Sequence, residues 1–419
     1  MNVGIIGSGG REHALCKSVK NSSIVKNIYC IPGNAGTANI ATNVDIDLDN
    51  FDNIKEFIVS KKIEFLIVGP EKPLADGLVD FLQGINIKIF GPNKAASQLE
   101  ASKIFTKNLC KNYKIPTAKF GVFQNQIDSK KYIKKSNYPI VIKADGLAAG
   151  KGVYICENEK DSFQAIDEIF NGKFGVANEV LIEEFLTGEE MSFFVISDGV
   201  NFEKFGTAQD HKRVGEGDVG LNTGGMGAYS PSRLESDILN KKILDKIIKP
   251  TLRALEDLNT NFKGFLYAGL MIKDNEPFLI EYNIRMGDPE CQVIIPRLKT
   301  NVLDIILASL NNELKNTKIK WKKEKCMTVV MCSKGYPKKY KTKIKIKNLE
   351  KVKLNKNSII FHAGTTILDN HLVSIGGRVL NITCIGNNFF KIKKNIYKIL
   401  KKINWRSGFF RKDIGWRII

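Results

Sequence analysis

The stretch from Gly264 to Val293, GFLYAGLMIKDNEPFLIEYNIRMGDPECQV, concentrates side chains that could do chemistry. Apolar runs at 265–272 and 277–280 flank the turn composition Lys273-Asp274-Asn275-Glu276, which predicts a β-hairpin. Residues two apart in a strand face the same side, so Glu281, Asn283 and Arg285 project together. That face offers an anionic oxygen, a neutral oxygen and a fixed cation. Hard cations such as Mg²⁺ take oxygen ligands and keep water and substrate phosphates in their remaining positions. A guanidinium beside them suits a carboxylate or a phosphate. A solvated strand face is the plain alternative for Glu-x-Asn-x-Arg alone. Met286-Gly287-Asp288-Pro289-Glu290 then adds acids in a Gly/Pro turn.

Other stretches must position such a site. The apolar run 2–7 reads as a strand, and Ser8-Gly9-Gly10 turns it into a helix, making an anion cradle of backbone N–H groups. The dinucleotide fingerprint is not met, because Glu12 stands where its third glycine belongs. The second strand, 28–31, ends in Pro32-Gly33-Asn34 and not in an acid. The cradle therefore suits a phosphate better than NAD. Units at 64–68 and 87–90 end in Gly69-Pro70-Glu71 and Gly91-Pro92. Strands alternating with helical segments predict a parallel sheet with ligands outside its carboxyl ends.

Asn93 is placed to cap a helix through about Asn112, carrying Lys103. A strand ending in Lys143 leads into 144–152, ADGLAAGKG, and then another strand to Cys156. Only three residues separate Gly146 from Gly150, and Lys151 is followed by Gly152, so this is no Walker A loop. It fits a flap over phosphates with Lys143 beneath, or, taken alone, a flexible surface hairpin. Asp161 is expected to cap a helix to about Phe170. A strand at 179–185 carries Glu183 and Glu184, and Gly188-Glu189-Glu190 turns into 191–197. Such carboxylates are solvated unless they edge an ATP pocket. The polar, glycine-rich run 206–231 reads as a long loop headed by Asp210-His211-Lys212-Arg213. A helix over 236–258 is expected to pack through Ile238, Leu239, Ile243, Ile247 and Leu255, and another to span 302–314. Short strands at 327–332, 358–362, 366–375 and 378–386 follow. A last helix carries Ile392, Ile396, Ile399, Leu400 and Ile403 on one face, suited to docking on a small sheet of its own.

The totals set bounds. A chain of 419 residues, 43% hydrophobic and 26% charged, is globular and too long for one core. The net charge is +20, yet only ten of the 64 basic residues are Arg. The Lys-rich stretches at 315–325 and 334–347 lack an interleaved aromatic stacking platform and the Arg that dominates base readout, and read as solvated faces, so no nucleic-acid partner is expected. The eight cysteines are scattered, without metal or disulfide spacing. No apolar run approaches the ~20 residues of a membrane span. A cytoplasmic protein without a membrane partner is expected.

Several motifs agree in order along nearly the whole chain: GSGGREHA at 7–14, PGNAGT at 32–37, GPE at 69–71, KADGLAAGKGV at 143–153, QDHKRVGEGD at 209–218, NTGGMGAYSP at 222–231, GFLYAGLMI at 264–272, RMGDPE at 285–290, FHAGT at 361–365, GGRVL at 376–380 and RKDIGWR at 411–417. Together they resemble the phosphoribosylamine–glycine ligase (glycinamide ribonucleotide synthetase) family of the ATP-grasp superfamily. Met286 replaces the family's usual Phe or Leu, a volume-tolerant swap.

The resemblance implies a multidomain α/β fold: a parallel α/β domain at 1–101 for the phosphoribosyl substrate, an ATP-grasp domain at 102–325 with a flap at about 121–189, and a small mixed β/α domain at 326–419. It implies ATP-dependent joining of glycine to 5-phosphoribosylamine with Mg²⁺ or Mn²⁺, by a monomer in transient contact at most with neighbouring purine-pathway enzymes. Carried onto this chain, Lys103, Lys143 and the flap residues Gly150, Lys151 and Gly152 would meet ATP phosphates. Glu183, Phe185, Leu186 and Glu190 would hold adenine and ribose, and Glu281 and Asn283 the metal. Arg285 would hold glycine's carboxylate or the migrating phosphoryl group. Gly9 and Gly10 would take the sugar phosphate, with Asn34, Glu71, Asp210, Lys212 and Asp288 near the second substrate. Another ATP-grasp carboxylate–amine ligase, an NAD-dependent oxidoreductase and a basic nucleic-acid binder are the competing expectations.

Overall fold

The computed structural model describes residues 1–147, 152–175 and 179–419. The run Asn2–Gly7 is the middle of a five-stranded parallel sheet, in the order Thr42–Asn43, Asn27–Pro32, Asn2–Gly7, Phe65–Val68, Lys88–Phe90. Its apolar residues are buried because both faces are covered. Ile5 packs in one cluster with Leu15 and Val19 of the helix Gly10–Val19, and Ile6 in another with Ile54 and Ile58 of Phe51–Ser60. Strand order reverses between Asn2–Gly7 and Phe65–Val68, which opens a crevice at their carboxyl ends.

The helix expected over 93–112 is broken. Asn93 does cap, accepting the Ala96 N–H at 2.8 Å, but the turn Gln98–Ala101 ends at an extended Ser102. The Ser102 hydroxyl then caps Lys103–Asn112 by accepting the Phe105 N–H at 3.0 Å. The flap region forms its own four-stranded antiparallel sheet, in the order Phe120–Phe123, Val180–Glu184, Ile140–Ala144, Val153–Cys156. The helices Gln126–Ile133 and Glu159–Phe170 close its separate apolar cluster. Asn158, and not Asp161, caps the second of these, accepting the Asp161 N–H at 2.9 Å.

The largest sheet has nine strands. Its order is Glu276–Asn283, Lys263–Lys273, Glu189–Asp198, Phe202–Asp210, Gly227–Ser230, Lys325–Ser333, Arg378–Gly386, Ser358–His362, with Gly408–Phe409 alongside Lys325–Ser333. Two expectations change here. The run 206–231 is no long loop: Phe202–Asp210 and Gly227–Ser230 are paired inside the sheet, and Arg213–Gly215 pairs with Val219–Asn222 as a short hairpin. Nor do the strands after 326 all form a sheet of their own: Lys325–Ser333 pairs with Gly227–Ser230 and carries Arg378–Gly386 and Ser358–His362 into the central sheet, while only Ile344–Lys345, His371–Ser374 and Thr365–Leu368 make a separate small one. The helix Phe389–Leu400 docks on it through Phe389, Ile392, Ile396, Ile399 and Leu400.

Smaller departures have local causes. The expected strand 366–375 is a hairpin, Thr365–Leu368 and His371–Ser374, turning at Asp369 and Asn370 with φ of 47° and 59°. The helix over 237–257 contains a π turn, Leu244–Ile248, just before Pro250, which lacks the N–H a regular α turn needs. Ile238, expected in that helix's packed face, is 66% exposed. The helix expected over 302–314 ends at Leu310. All eight cysteines are free thiols and buried. No helix among the described residues is long and apolar enough to cross a membrane.

Candidate active site

A cavity of about 470 Å³ opens where the three sheets meet, within the size range of small-molecule sites. The parallel sheet contributes Gly9 and Glu71 from the ends of its two central strands. The flap sheet contributes Lys143 and Glu183, and the central sheet Asp210, Lys212, Glu281, Asn283 and Arg285. Lys103, Gly152 and Asp288 complete the expected residues that line it. Gly150 and Lys151 lie outside the described residues.

The flap side is a buried lysine–carboxylate cluster. Glu183 forms ion pairs with Lys143 at 2.7 Å and with Lys107 at 2.9 Å. Burial alone would raise the Glu183 carboxyl, but the two ammonium groups overcome it and hold the group below its ordinary value. Glu183 therefore pairs with both lysines, while its Oε1 has no hydrogen-bond donor among the described residues. Lys103 Nζ donates to the Gly146 carbonyl at 2.7 Å, at the base of the flap hairpin. Burial lowers its pKa, opposed by Glu281 and Asp145. Asp145 ties the hairpin to the start of the earlier helix Lys103–Asn112, accepting from Ser102 Oγ at 2.9 Å and from the Ile104 N–H at 3.2 Å.

Glu281, Asn283 and Arg285 all line the cavity while Ile284 is buried off it; Tyr282, 2% exposed, also reaches the lining, with its hydroxyl against Thr251. No cluster of three or more His, Cys, Asp or Glu among the described residues could hold a metal by itself. The pair Glu281 and Asn283 gives two hard oxygen donors beside Lys103 and Lys143. That set suits a cation completing its shell with nucleotide phosphates.

Arg285 is less free than expected. Its Nη2 donates to Glu100 Oε1 at 2.7 Å and its Nε to Glu71 Oε2 at 3.1 Å, so its fork is already bound by two carboxylates. The guanidinium holds Glu71 down at about 2, whereas burial pushes Glu100 up to about 7 against the same cation. Across the cavity, burial also raises Asp210 to about 7, with Lys212 opposing. Lys212 pairs with Glu190 at 2.7 Å.

The Gly9–Gly10 cradle is altered by its own helix. The Gly9 N–H donates to Glu12 Oε2 at 2.6 Å and the Arg11 N–H to Asp288 Oδ2 at 3.3 Å, so two carboxylates already cap the N-terminus. Gly7 (φ 118°) and Gly69 leave room for Glu12, because a Cβ would lie 2.6 Å and 2.1 Å from its side chain. Gly10 faces Gln292 and Asn381, away from the cavity. Asn34, expected near the sugar, is buried bracing its own loop. Its amide donates to the Ser8 and His362 carbonyls at 2.8 and 3.0 Å and accepts the Gly36 and Thr37 N–H groups at 2.8 and 3.0 Å. Phe185 and Leu186 sit on the connector between flap and central sheets. Neither they nor Glu190 line the cavity.

The cavity also holds residues to which the sequence assigned no role at the site: Arg11, Glu12, Glu100, Lys107, Tyr267, Glu290 and Arg378. Arg378 bridges from the far strand Arg378–Gly386 to the carbonyls of Gly224 and Asp288. The motifs quoted above contain Arg11, Glu12, Tyr267, Glu290 and Arg378; Lys107 and Glu100 carried no signal beyond their helices.

A small antiparallel flap sheet facing a large one, with lysines on one side and paired oxygen donors on the other, defines the ATP-grasp class. Family models for phosphoribosylglycinamide synthetase match the chain as an N domain at 1–100, an ATP-grasp (A) domain at 101–291 and a C domain at 326–417. The chain belongs to that family. A phosphoribosylamine–glycine ligase from Mesorhizobium japonicum is 47% identical over 420 residues, covering 100% of this chain and 99% of that one. The chloroplastic ligase of Arabidopsis thaliana is 45% identical, over 98% of this chain and 79% of its own. The crystal structure of the ligase from Thermotoga maritima superposes with a TM-score of 0.86 at 32% identity, covering 99% and 100% of the two chains. A biotin carboxylase domain from Hydrogenobacter thermophilus, solved with MgADP, shares the fold at a TM-score of 0.74 and 15% identity, over 97% and 91%.

Proposed function

We propose that this chain joins glycine to 5-phosphoribosylamine with cleavage of ATP, giving glycinamide ribonucleotide, ADP and phosphate in the second step of purine synthesis. The observation that carries this reading is one cavity lined by buried lysines, hard oxygen donors and the crevice of a parallel α/β sheet. In this reading residues 1–101 receive the sugar phosphate. Residues 102–325 hold ATP, with 121–189 as the flap, and 326–419 close the site. The protein acts as a monomer in the cytoplasm.

A carboxylate oxygen is a poor leaving group, so glycine's carboxylate first attacks the γ-phosphorus and ADP departs. The amine then attacks the acyl carbon of glycyl phosphate, and phosphate leaves. Such transfer needs positioning and charge neutralisation more than a side-chain nucleophile. Lys103 and Lys143 bind the phosphates, and Glu183 keeps Lys143 aimed at them. Adenine is left to the connector at 185–188. Mg²⁺ or Mn²⁺ held by Glu281 and Asn283 would neutralise phosphate charge. Arg285, bound by Glu71 and Glu100, offers one remaining face to glycine or the moving phosphoryl group. Asp210, raised to about 7 by burial, takes the proton that the attacking amine loses, and Lys212 steadies the charge beside it. The flap excludes water from an acyl phosphate that would otherwise hydrolyse.

The test is phosphate release from ATP and Mg²⁺, with glycine and freshly made phosphoribosylamine supplied singly and together. Release that needs both, with a product of glycinamide ribonucleotide mass, is expected. Release with glycine alone would leave the first step and remove the sugar site; no turnover would remove the function.

A further inference from the structure

Two stretches with no part in that chemistry, 213–218 and 411–417, grip each other. The hairpin of Arg213–Gly215 and Val219–Asn222 projects beyond the strand Phe202–Asp210, and its tip meets the C-terminal segment. Asp218 is the hub. Its Oδ1 accepts from Arg411 Nη1 at 2.8 Å, and its Oδ2 accepts from Arg417 Nη2 at 2.5 Å and Trp416 Nε1 at 3.2 Å. Arg411, only 1% exposed, also donates to the Arg213 carbonyl at 2.9 Å and to both oxygens of Asp413. Asp413 in turn accepts the Gly217 N–H at 2.8 Å. A buried arginine needs this full set of partners to offset its lost hydration.

His211 lies beneath, and burial keeps its ring neutral. The Gly415 N–H donates to Nε2 at 2.7 Å, and Nδ1 lies 3.4 Å from Arg417 Nη1 and 3.9 Å from Asp218 Oδ1. The backbone of the loop is thereby tied to the last turn of the chain at both its base and its tip.

Asp218, His211, Arg411 and Arg417 do not line the cavity, whereas the loop they hold does, through Lys212, Thr223 and Gly224. The Thr223 N–H and hydroxyl both donate to the Lys212 carbonyl at 2.8 Å, so the two sides of the loop move together. We infer that the segment 411–417 is a clamp that sets the loop 211–224 against the sugar–amine substrate, with Asp218 and Arg411 as positioning residues for Lys212. This rests on the assignment of Lys212 to that substrate.

The experiment uses the full chain carrying Asp218→Asn, varying ATP, glycine and phosphoribosylamine in turn and following amide hydrogen exchange across 211–224. The expected result is a KM for phosphoribosylamine raised about tenfold, with those for ATP and glycine changed less than about twofold, and faster exchange in the loop. Asp218→Glu should recover part of both effects. Equal changes in all three KM values, or none with unaltered exchange, would overturn the clamp. Should Asp218→Asn fail to fold, Trp416→Phe removes one donor only and must show a smaller effect on the same substrate. A wild-type protein that makes no product would sink the proposed reaction, and the exchange comparison would still decide the clamp.

Discussion

Glu183 sits with its carboxylate between two ammonium groups, at 2.7 and 2.9 Å, with almost no water. Removing one partner of such a buried cluster typically costs about 3–5 kcal/mol, because the remaining charge is left uncompensated. Glu183→Gln is therefore expected to lower the thermal midpoint and to weaken ATP binding, since Lys143 loses its aim; calorimetry and nucleotide titration check both. The sign of its pH dependence follows from a depressed carboxyl. Its contribution is present above the unfolded value and lost as pH falls through the lower folded one. Asp210 has the opposite shift, up to about 7. Its folded form favours the proton, so that contribution is fully present below the unfolded value and lost as pH rises through about 7. The proposed role as proton acceptor requires the ionised form, so on that proposal kcat/KM for phosphoribosylamine should climb through about pH 7, and Asp210→Asn should flatten the climb. Glu281→Gln should lower metal-dependent phosphate release about a hundredfold or more, by analogy with loss of one charge-stabilising group, with an unchanged circular dichroism spectrum. At this scale the sequence was legible where period alone decides, as at Glu281, Asn283 and Arg285. It was silent on partnerships across long separations, such as Lys107 with Glu183 or Glu100 with Arg285, because no local pattern encodes them.

Elements set how those side chains meet. Asp145, on the flap hairpin, accepts from Ser102 and from the Ile104 backbone at the start of the helix that carries Lys103. Loss of a cap of this kind costs about 0.5–2 kcal/mol. Asp145→Ala should therefore raise the KM for ATP several-fold through a loosened flap base, while phosphoribosylamine binding stays unchanged; steady-state kinetics separate the two. The strand endings around the crevice were legible because each apolar run stops at a Gly/Pro turn. The strand Gly227–Ser230 was not. Its glycine and alanine have little intrinsic strand preference, and it is a strand because Phe202–Asp210 and Lys325–Ser333 offer ladders on either side. The same override made one expected helix two at Ser102, where a side-chain oxygen competes with the backbone.

Across the whole molecule, one sheet runs from Glu276–Asn283 to Ser358–His362, so the strands of the C-terminal segment that join it are hydrogen-bonded into the centre. Met226 and Tyr229 share an apolar cluster with Val329, Leu380 and Ile396. A fragment ending at residue 325 is therefore expected to lose native structure around Gly227–Ser230, seen as lost amide protection there, and not to persist as an independent unit. The composition could not reveal this, because hydropathy patterns mark strands without saying which neighbour each will find. The order of motifs carried the family, but the pairing that joins the C-terminal strands to the central sheet is a property of three-dimensional adjacency alone.

The eight buried thiols make the protein its own reporter. With Cys16 and Cys30 in the parallel domain, Cys156 in the flap and Cys326, Cys332 and Cys384 in the continuous sheet, each body carries at least one shielded sulfur. An alkylating reagent applied briefly to the native protein would tag only those that open, and the tagged positions, resolved by mass, would give an order of breathing. If the flap hinges as a body the sulfurs stay dark together; if it unravels, Cys156 is tagged first.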